Sequence, residues 1–395
     1  MLDIAEELGR WVRQGRSFAV ATVVAVTGSA PRPPGAALAV DSEGTVIGSV
    51  SGGCVEAAVY ELCRRALDDG ETVVERFGYS DEDAFAVGLT CGGVIDVLVA
   101  PVRAPRSADA GAPDGSPPAL REGPGRVLAG ALAAAARGET VALVRAADGP
   151  GPSAGQALLV RPGGGHEGTL GAGPGLDRVA VGRAGAMLDA GSTGRAVLGG
   201  GDGERCESPL TVLVETSVPP ARMIVFGAVD FASALARVGA FLGYRVTVCD
   251  ARPVFATPAR FPDAHEVVVD WPHRYLAATV TDSRTVLCVL THDPRFDVPL
   301  LVHALTLPVA YVGAMGSRRT HEDRVRRLRE AGVPDAGLAR LHSPIGLDLG
   351  AHTPEETALS IAAEIVAERR GGSGLSLTGA HIPIHHDAPR LGSPA

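Results

Sequence analysis

The chain has 395 residues, of which 46% are hydrophobic and 21% charged, and its formal net charge is −9. This length allows two or three domains with cores of their own, and the negative balance excludes a general nucleic-acid-binding surface. The first residues, Met1 to Glu7, lack the basic and apolar regions of a signal peptide, and no apolar run approaches the length of a membrane span.

The six cysteines show no regular spacing. In a chain of this length such a pattern is not a disulfide framework. No C-x-x-C pair and no Cys/His cluster has the spacing of a zinc site. The sequence therefore predicts a cytoplasmic protein without an integral membrane segment.

The chain opens with an amphipathic helix, because Ile4, Leu8, Trp11 and Val12 fall on one helical face. A stiff, proline-rich turn follows over residues 29–34 and carries Arg32. Arg32 can face an anionic ligand, or it can be a solvated loop charge. The sequence leaves both interpretations open.

Two cysteines of the first hundred residues stand beside glycine pairs, in Gly52-Gly-Cys-Val-Glu56 and in Cys91-Gly-Gly93. Glycines let the backbone approach a ligand closely and expose neighbouring amides. A second helix is predicted directly after Cys54, and the N-terminus of a helix favours a thiolate. Both cysteines are therefore candidate ligand contacts, and the alternative is that both are small buried hydrophobic residues.

A segment rich in Pro, Ala, Gly and Ser over 101–125 is typical of a flexible linker. The segments on either side of it resemble each other at an offset near 120, so that Gly48-Ser-Val50 corresponds to Gly168-Thr-Leu170. Pro174 stands in the second segment where Cys54 stands in the first. We expect an internal duplication in which one copy carries the thiol and the other is scaffold.

The second half of the chain has a different pattern, in which apolar runs rich in β-branched residues alternate with helical segments. This pattern predicts a parallel sheet covered on both faces, as in a doubly wound Rossmann-like domain. Ligands of such sheets bind at the carboxyl ends of the strands. The predicted strands are 222–226, 245–249, 266–270, 285–290 and 309–312.

The first turn of this sheet departs from the dinucleotide-binding pattern G-x-G-x-x-G. It begins with Gly227, but Val229 and Ala232 replace the other two glycines, and Asp230 adds a negative charge. These changes disfavour NAD(P). Asp250, which ends the second strand, suits a ribose hydroxyl and equally suits a turn or a helix cap.

Two later loops follow strands and are further candidates for ligand binding. His292 and Asp293 can contact a ligand, although Asp293 with Pro294 can also simply begin a helix. The turn from Gly313 to Arg319 contains Gly316, Ser317 and Arg318 at a predicted helix start, and helix N-termini and arginine forks favour phosphate. The later arginines of this helix, beginning with Arg324, are predicted to be solvated.

Taken together these segments resemble the XdhC/CoxI family, the accessory proteins of xanthine dehydrogenase and related molybdenum hydroxylases. The resemblance rests on 21–32, Gly52-Gly-Cys-Val-Glu56 and Cys91-Gly-Gly93 in the first domain. In the second domain it rests on Asp250-Ala-Arg-Pro253, Thr291-His-Asp293, 313–319 and 343–348. The turn after Gly227 departs from the family, which commonly keeps a glycine-rich turn there.

The resemblance implies a non-catalytic protein that binds the molybdenum cofactor, assists its sulfuration and inserts it into an apo xanthine dehydrogenase or related hydroxylase. It implies a homodimer, and a cysteine desulfurase is a further expected partner. By carry-over, Cys54 is the first candidate for a molybdenum ligand and Cys91 the second. The remaining expected cofactor contacts are Arg32, Gly52, Gly53, Glu56, Gly227, Asp250, Arg252, His292, Asp293, Gly313, Gly316, Ser317 and Arg318.

The predicted fold is an N-terminal α+β domain with an internal duplication, followed by a Rossmann-like doubly wound parallel-sheet domain. The expected divisions are a first repeat over 1–100, a linker over 101–125, a second repeat over 126–218, the Rossmann-like domain over 219–370 and a disordered tail over 371–395. Two other functions stay open, an NAD(P)-dependent oxidoreductase with a divergent Rossmann domain and a protein-interaction scaffold.

Overall fold

The computed structural model describes residues 1–28, 30–78, 93–102, 123–148, 156–199, 209–291 and 293–379. The chain forms two compact units, Met1–Pro219 and Pro220–Ala395. None of the helices in the described ranges is long and apolar enough to cross a membrane. The first unit contains antiparallel sheets and the second a parallel one, which confirms the predicted α/β fold class.

The first unit is built from two segments with the same order of helices and strands. The elements are α1 (Ala5–Arg13), β1 (Phe18–Thr27), β2 (Ala37–Asp41), β3 (Val46–Gly48), α2 (Glu56–Asp69), β4 (Val73–Phe77), β5 (Val94–Val102), α3 (Gly123–Ala136), β6 (Val141–Asp148), β7 (Ala157–Val160), β8 (His166–Thr169), α4 (Pro174–Ala190), β9 (Gly194–Leu198) and β10 (Leu210–Ser217). The strand orders are β3-β2-β1-β5-β4 and β8-β7-β6-β10-β9. The two sheets thus have the same topology, while descent from one duplicated segment stays a prediction.

Alternation along the strands divides the core of this unit into layers. In β6, Val141 and Leu143 pack with α1 and α3, whereas Ala142 and Val144 pack with α4 on the opposite face. This is the expected consequence of side chains that point alternately to the two faces of a strand. The cluster containing α1 and α3 also takes residues from β1 and β2, so one core joins the two sheets.

The structure narrows the bounds that composition gives for the predicted linker. Strand β5 includes Pro101 and Val102, and helix α3 begins at Gly123. Both ends of the range 101–125 therefore belong to regular elements. Residues 103–122 lie outside the described part of the chain, as do the last sixteen residues, 380–395, of the predicted tail.

The second unit is a parallel sheet with helices. Its elements are β11 (Arg222–Phe226), α5 (Asp230–Phe241), β12 (Arg245–Asp250), β13 (Glu266–Val269), α6 (Pro272–Ala278), β14 (Val286–Val289), α7 (Pro294–Ala304), β15 (Tyr311–Ala314), α8 (Arg318–Glu330), α9 (Asp335–Leu338), β16 (Leu341–His342) and α10 (Pro354–Arg370). The strand order is β13-β12-β11-β14-β15-β16, and every neighbouring pair is parallel. This order reverses direction between β11 and β14, which is where doubly wound sheets bind ligands.

Local chemistry fixes the start of α10 and the turn before α5. Thr353 and Glu356 form a reciprocal capping box at the start of α10, with Pro354 at the first helical position. Gly227 has φ of 110°, and an added Cβ would lie 3.0 Å from the backbone nitrogen of Thr291. Only glycine therefore fits the turn between β11 and α5.

Candidate functional site

The loop that carries Cys54 is organised around the carboxylate of Glu56, the first residue of α2. The amides of Ser51, Gly52 and Gly53 donate to this carboxylate at 2.9, 2.9 and 2.8 Å. The Ser49 hydroxyl donates to it at 2.7 Å, and the Ser51 hydroxyl forms a short hydrogen bond with it. Glu56 thus holds the chain on the N-terminal side of Cys54 by five donors.

These contacts have an electrostatic consequence for Glu56. Burial alone raises the pKa of this carboxyl, but the donors from Ser51, Ser49 and Gly53 outweigh burial and lower the pKa to about 2. Glu56 is therefore ionised at any physiological pH. The amides of Gly52 and Gly53, predicted to face a ligand, already donate to a residue of their own chain.

Cys54 differs from the other cysteines in the described ranges by its position. It is half-buried at the edge of the core that α2 forms with β1, β2 and β5. Cys63, Cys249 and Cys288 are fully buried. Burial raises the pKa of the Cys63 and Cys249 thiols to about 12 and raises that of Cys288 as well, so these three are inert thiols at neutral pH.

The second segment of the first unit repeats the geometry of this loop without the thiol. The Thr169 hydroxyl and the Leu170 amide donate to the carboxylate of Asp177 at 2.7 and 2.9 Å. Pro174 begins α4 where Cys54 precedes α2. A carboxylate in the first turn of the following helix holds the loop in both segments, and only the first segment adds a sulfur.

Arg32, another candidate of the first unit, has no hydrogen bond or ion pair with this loop in the described structure and lies near the N-terminal residues. Arg32 is partly exposed, and its guanidinium lies 3.7 Å from the carboxylate of Asp3. The Nε atom of Arg32 is buried without a hydrogen-bond partner in the described structure. Cys91 lies outside the described residues, so its predicted role stays a prediction.

The second unit has a cleft of about 480 Å³ at the carboxyl ends of its strands, between β11, β12 and β14. Because it lies where the strand order reverses, we call it the switch-point cleft. Asp250, Arg252 and Asp293 line the cleft as the sequence predicts for a site at this edge. Val229, Ala251 and Thr291 also line it and belong to the turns predicted at this edge, whereas Pro272, Arg295 and Phe296 are lining residues that the sequence did not indicate.

Asp250 is held inside its own turn. Its carboxylate accepts from the Ala228 amide at 2.7 Å and from Nε and Nη2 of Arg252 at 2.9 and 2.8 Å. Burial raises the pKa of Asp250, but the hydrogen bonds from Arg252 and Ala228 outweigh burial and leave it lowered. One amide of the first turn is thus taken by Asp250, and Asp230 of the same turn pairs with Arg260 at 3.2 Å.

Asp293 caps the start of α7. This agrees with the alternative that Asp293 and Pro294 begin a helix. Its carboxylate caps the helix by accepting from the Arg295 amide at 3.0 Å and also binds the Arg295 guanidinium at 2.6 Å. The hydrogen bonds from Arg295 lower the pKa of Asp293 to about 2. His292 lies outside the described residues.

The turn from Gly313 to Arg319 divides into a packing part and a capping part. Gly313 lies inside β15, where an added Cβ would meet Ile345 at 2.5 Å. Gly316 has φ of 154°, and Ser317 caps α8 by accepting from the Thr320 amide at 3.1 Å. Arg318 is the first residue of that helix and is exposed, and its predicted contact with phosphate stays a prediction.

The prediction that Arg324 is solvated is wrong. Its side chain is 3% exposed, and its guanidinium donates to Asp297 at 3.1 Å and to Ser343 at 2.9 Å. Asp297 also accepts a short hydrogen bond from Thr291. The arginine pattern of α8 alone could not reveal this, because the neutralising carboxylate comes from α7, 27 residues earlier.

Comparison with known proteins identifies the family. Residues 11–78 match a model described as the XdhC and CoxI family, and residues 223–365 match one described as the XdhC Rossmann domain. Together the two matches span more than half of the chain. The chain belongs to the XdhC/CoxI family. The Cys54 loop lies within the first match and the switch-point cleft within the second.

The chain is also similar to three proteins from Escherichia coli and Bacillus subtilis. It is 24% identical over 355 residues to the molybdenum cofactor insertion chaperone PaoD of Escherichia coli K12, covering 90% of this chain and 84% of PaoD. It is 30% identical to a protein of Bacillus subtilis 168 described as a probable xanthine dehydrogenase subunit (40% of this chain, 46% of that protein). It is 31% identical to the E. coli protein YqeB (46% of this chain, 34% of YqeB).

The chain therefore spans less than half the length of the last two relatives. A crystal structure from Bacillus halodurans, described as a xanthine dehydrogenase, has the same fold as this XdhC/CoxI chain with a TM-score of 0.63. That match has 23% identity and covers 93% of this chain and 96% of the other.

Proposed function

We propose that this protein carries the molybdenum cofactor as cargo and inserts it into an apo xanthine dehydrogenase or a related molybdenum hydroxylase. In this proposal the Cys54 sulfur is the ligand or protecting thiol of molybdenum, and the protein assists sulfuration of the cofactor without catalysing a reaction of its own. A homodimer, a cytoplasmic location and contact with a cysteine desulfurase belong to the same proposal.

The observation that carries the proposal is the position of Cys54. The other three cysteines in the described ranges are buried, whereas Cys54 is half-buried beside a loop braced by Glu56. Thiolates are good ligands of soft metal centres. Since no three His, Cys, Asp or Glu side chains in those ranges are grouped to hold an ion directly, a single sulfur suits a metal that arrives inside a cofactor.

The test is to purify the full chain from cells grown with molybdate and to measure bound molybdenum and pterin. We expect the wild type and Cys63→Ala to carry both, because Cys63 is a buried cysteine of the following helix and controls for loss of a thiol. Cys54→Ala should lose most of the bound metal. Equal loading of Cys54→Ala and Cys63→Ala would contradict the proposal.

The alternative function is an NAD(P)-dependent oxidoreductase, and the switch-point cleft is the observation in its favour. Against it, Val229 stands where backbone must approach a pyrophosphate, and the neighbouring Ala228 amide donates to Asp250. We expect no saturable NADH binding and no change in NADH absorbance on incubation with the protein. Turnover of NADH with any added acceptor would support the alternative.

A further inference from the structure

The switch-point cleft carries the same local motif on two of its sides. Asp250 is the last residue of β12 and Arg252 follows that strand, whereas Asp293 caps α7 and Arg295 lies in the first turn of that helix. An aspartate thus stands two residues before an arginine in both places. In each pair the carboxylate accepts from the amide of its arginine, at 2.9 Å for Arg252 and 3.0 Å for Arg295. In each pair it also binds Nε and Nη2 of the guanidinium.

This arrangement fixes which edge of each guanidinium is engaged. Nε and Nη2 face the aspartate in both pairs, and no acceptor in the described structure contacts Nη1 of Arg252 or Arg295. Both arginines line the same cleft and are partly or largely exposed, with 48% and 82% of the side chain accessible. Each arginine therefore keeps donors for a ligand while its aspartate holds it in place.

We propose that Arg252 and Arg295 together bind a phosphate monoester in this cleft. Each guanidinium is paired with its own aspartate, so the two arginines recognise the ester through the donors that the aspartates leave unengaged, and the fork geometry of arginine matches the oxygens of a phosphate.

The cleft, and not the motif alone, distinguishes these two pairs. Asp282 and Arg284 form the same local pair before β14, with contacts of 3.0 Å to the amide and 2.7 Å to Nη2. That third pair is at the amino ends of the strands, where doubly wound sheets do not bind ligands. The motif by itself thus stabilises a turn, and Arg284 provides a matched control for Arg252 and Arg295.

Two sources offer this chemistry, the phosphate of the molybdenum cofactor and the ribose phosphate of NADPH. The inference rests on the proposed function only for the first source. The sequence predicted a phosphate contact at Arg318. The site proposed here is a different one, formed by Arg252 and Arg295.

The first experiment titrates the full chain with glycerol 2-phosphate in a calorimeter, with glycerol as the dephosphorylated control. We expect the ester to bind and glycerol not to bind. Arg252→Lys, which keeps a counter-charge for Asp250, and Arg295→Gln should each weaken binding about tenfold or more. Arg284→Gln and Arg318→Gln should leave affinity within about twofold, and thermal unfolding should verify that all four variants are folded.

Absence of ester binding by the wild type at millimolar concentration would overturn the inference. So would a loss in Arg318→Gln without a loss in Arg252→Lys and Arg295→Gln, or an equal loss in Arg284→Gln. The second experiment separates the sources by comparing NADPH with NADH and by measuring pterin retained during purification. Pterin lost from the Arg252 and Arg295 variants supports the cofactor phosphate, and NADPH binding tenfold tighter than NADH supports the nucleotide.

These results are independent of the test of Cys54. Unchanged molybdenum in Cys54→Ala would contradict the proposed function while leaving ester binding intact. Normal ester binding by Arg252→Lys and Arg295→Gln would contradict the phosphate site while leaving the role of Cys54 intact.

Discussion

Glu56 determines the conformation of the loop that presents Cys54. A carboxylate offers two oxygens with several lone pairs, so it can accept all five donors of this loop at once. Three of those donors are backbone amides of consecutive residues, and the other two are hydroxyls of Ser49 and Ser51. Glu56 is therefore a positioning residue for Cys54.

Replacing Glu56 with glutamine tests this role. The amide group of glutamine turns donors toward the backbone amides and leaves some of them unpaired, so we expect a loss of about 1–3 kcal/mol in the free energy of unfolding. The rate of alkylation at Cys54 should change with it, because the loop loses its fixed geometry. Glu61→Gln, on an exposed position of the same helix, should change neither urea unfolding nor alkylation.

The lowered pKa of Glu56 also predicts how stability depends on pH. The folded-state pKa of about 2 lies below the ordinary value of 4.5, so the unfolded chain binds the proton more readily. The contribution of Glu56 is complete above pH 4.5 and is lost as the pH falls toward 2. Urea unfolding between these values should therefore show a smaller pH dependence in Glu56→Gln than in the wild type. An equal pH dependence of the free energy of unfolding in the two proteins would contradict the lowered pKa of Glu56.

At the scale of elements, buried ion pairs join strands and helices that are distant in sequence. Arg145 of β6 donates to Glu215 of β10 and to Thr22 of β1, at 2.7 and 2.8 Å. The Arg145 and Glu215 side chains are 7% and 2% exposed. One guanidinium thus connects three strands, and Arg324 makes a comparable link between α7 and α8 in the second unit.

Removal of one partner from such a pair is costly, because the other charge stays buried. We expect Glu215→Gln to lower the free energy of unfolding by about 3–5 kcal/mol. Glu167 of β8 provides the control, since it pairs with Arg161 on the surface at 3.3 Å. Glu167→Gln should cost about 0–1 kcal/mol. Similar losses of unfolding free energy for the two variants in urea would contradict a larger contribution from the buried pair.

At the scale of the whole molecule, the chain combines two units with different sheets, each with its own candidate site. The first unit supplies the Cys54 loop, and the second supplies a cleft at the reversal of its strand order. Cargo delivery, in the proposed function, is a property of the full chain and its client. It therefore needs a test on the intact protein.

That test is transfer of molybdenum. Incubation of the loaded wild type with an apo molybdenum hydroxylase should move metal into the client and produce hydroxylase activity, and Cys63→Ala should do the same. Cys54→Ala, which is expected to hold little metal, should transfer little. Metal that stays on the wild type in the presence of the client would contradict an insertion role.

Sequence alone determined the features that depend on short-range chemistry. The periodicity of Ile4, Leu8 and Trp11 predicted α1, the apolar runs predicted a parallel sheet, and the capping box at Thr353 fixed the start of α10. The short motifs of both domains, by their order and joint presence, were sufficient for the family. Each of these signals lies within one element or one turn, so no tertiary contact is needed to interpret it.

Only the tertiary structure decided what depends on partners distant in the chain. The burial of Arg324 requires Asp297 from another helix, and the packing role of Gly313 requires Ile345, 32 residues later. The cleft that unites Arg252 with Arg295 exists because β12 and β14 flank β11 in the sheet. Such neighbours are set by chain topology, and a residue pattern within one segment carries no information about them.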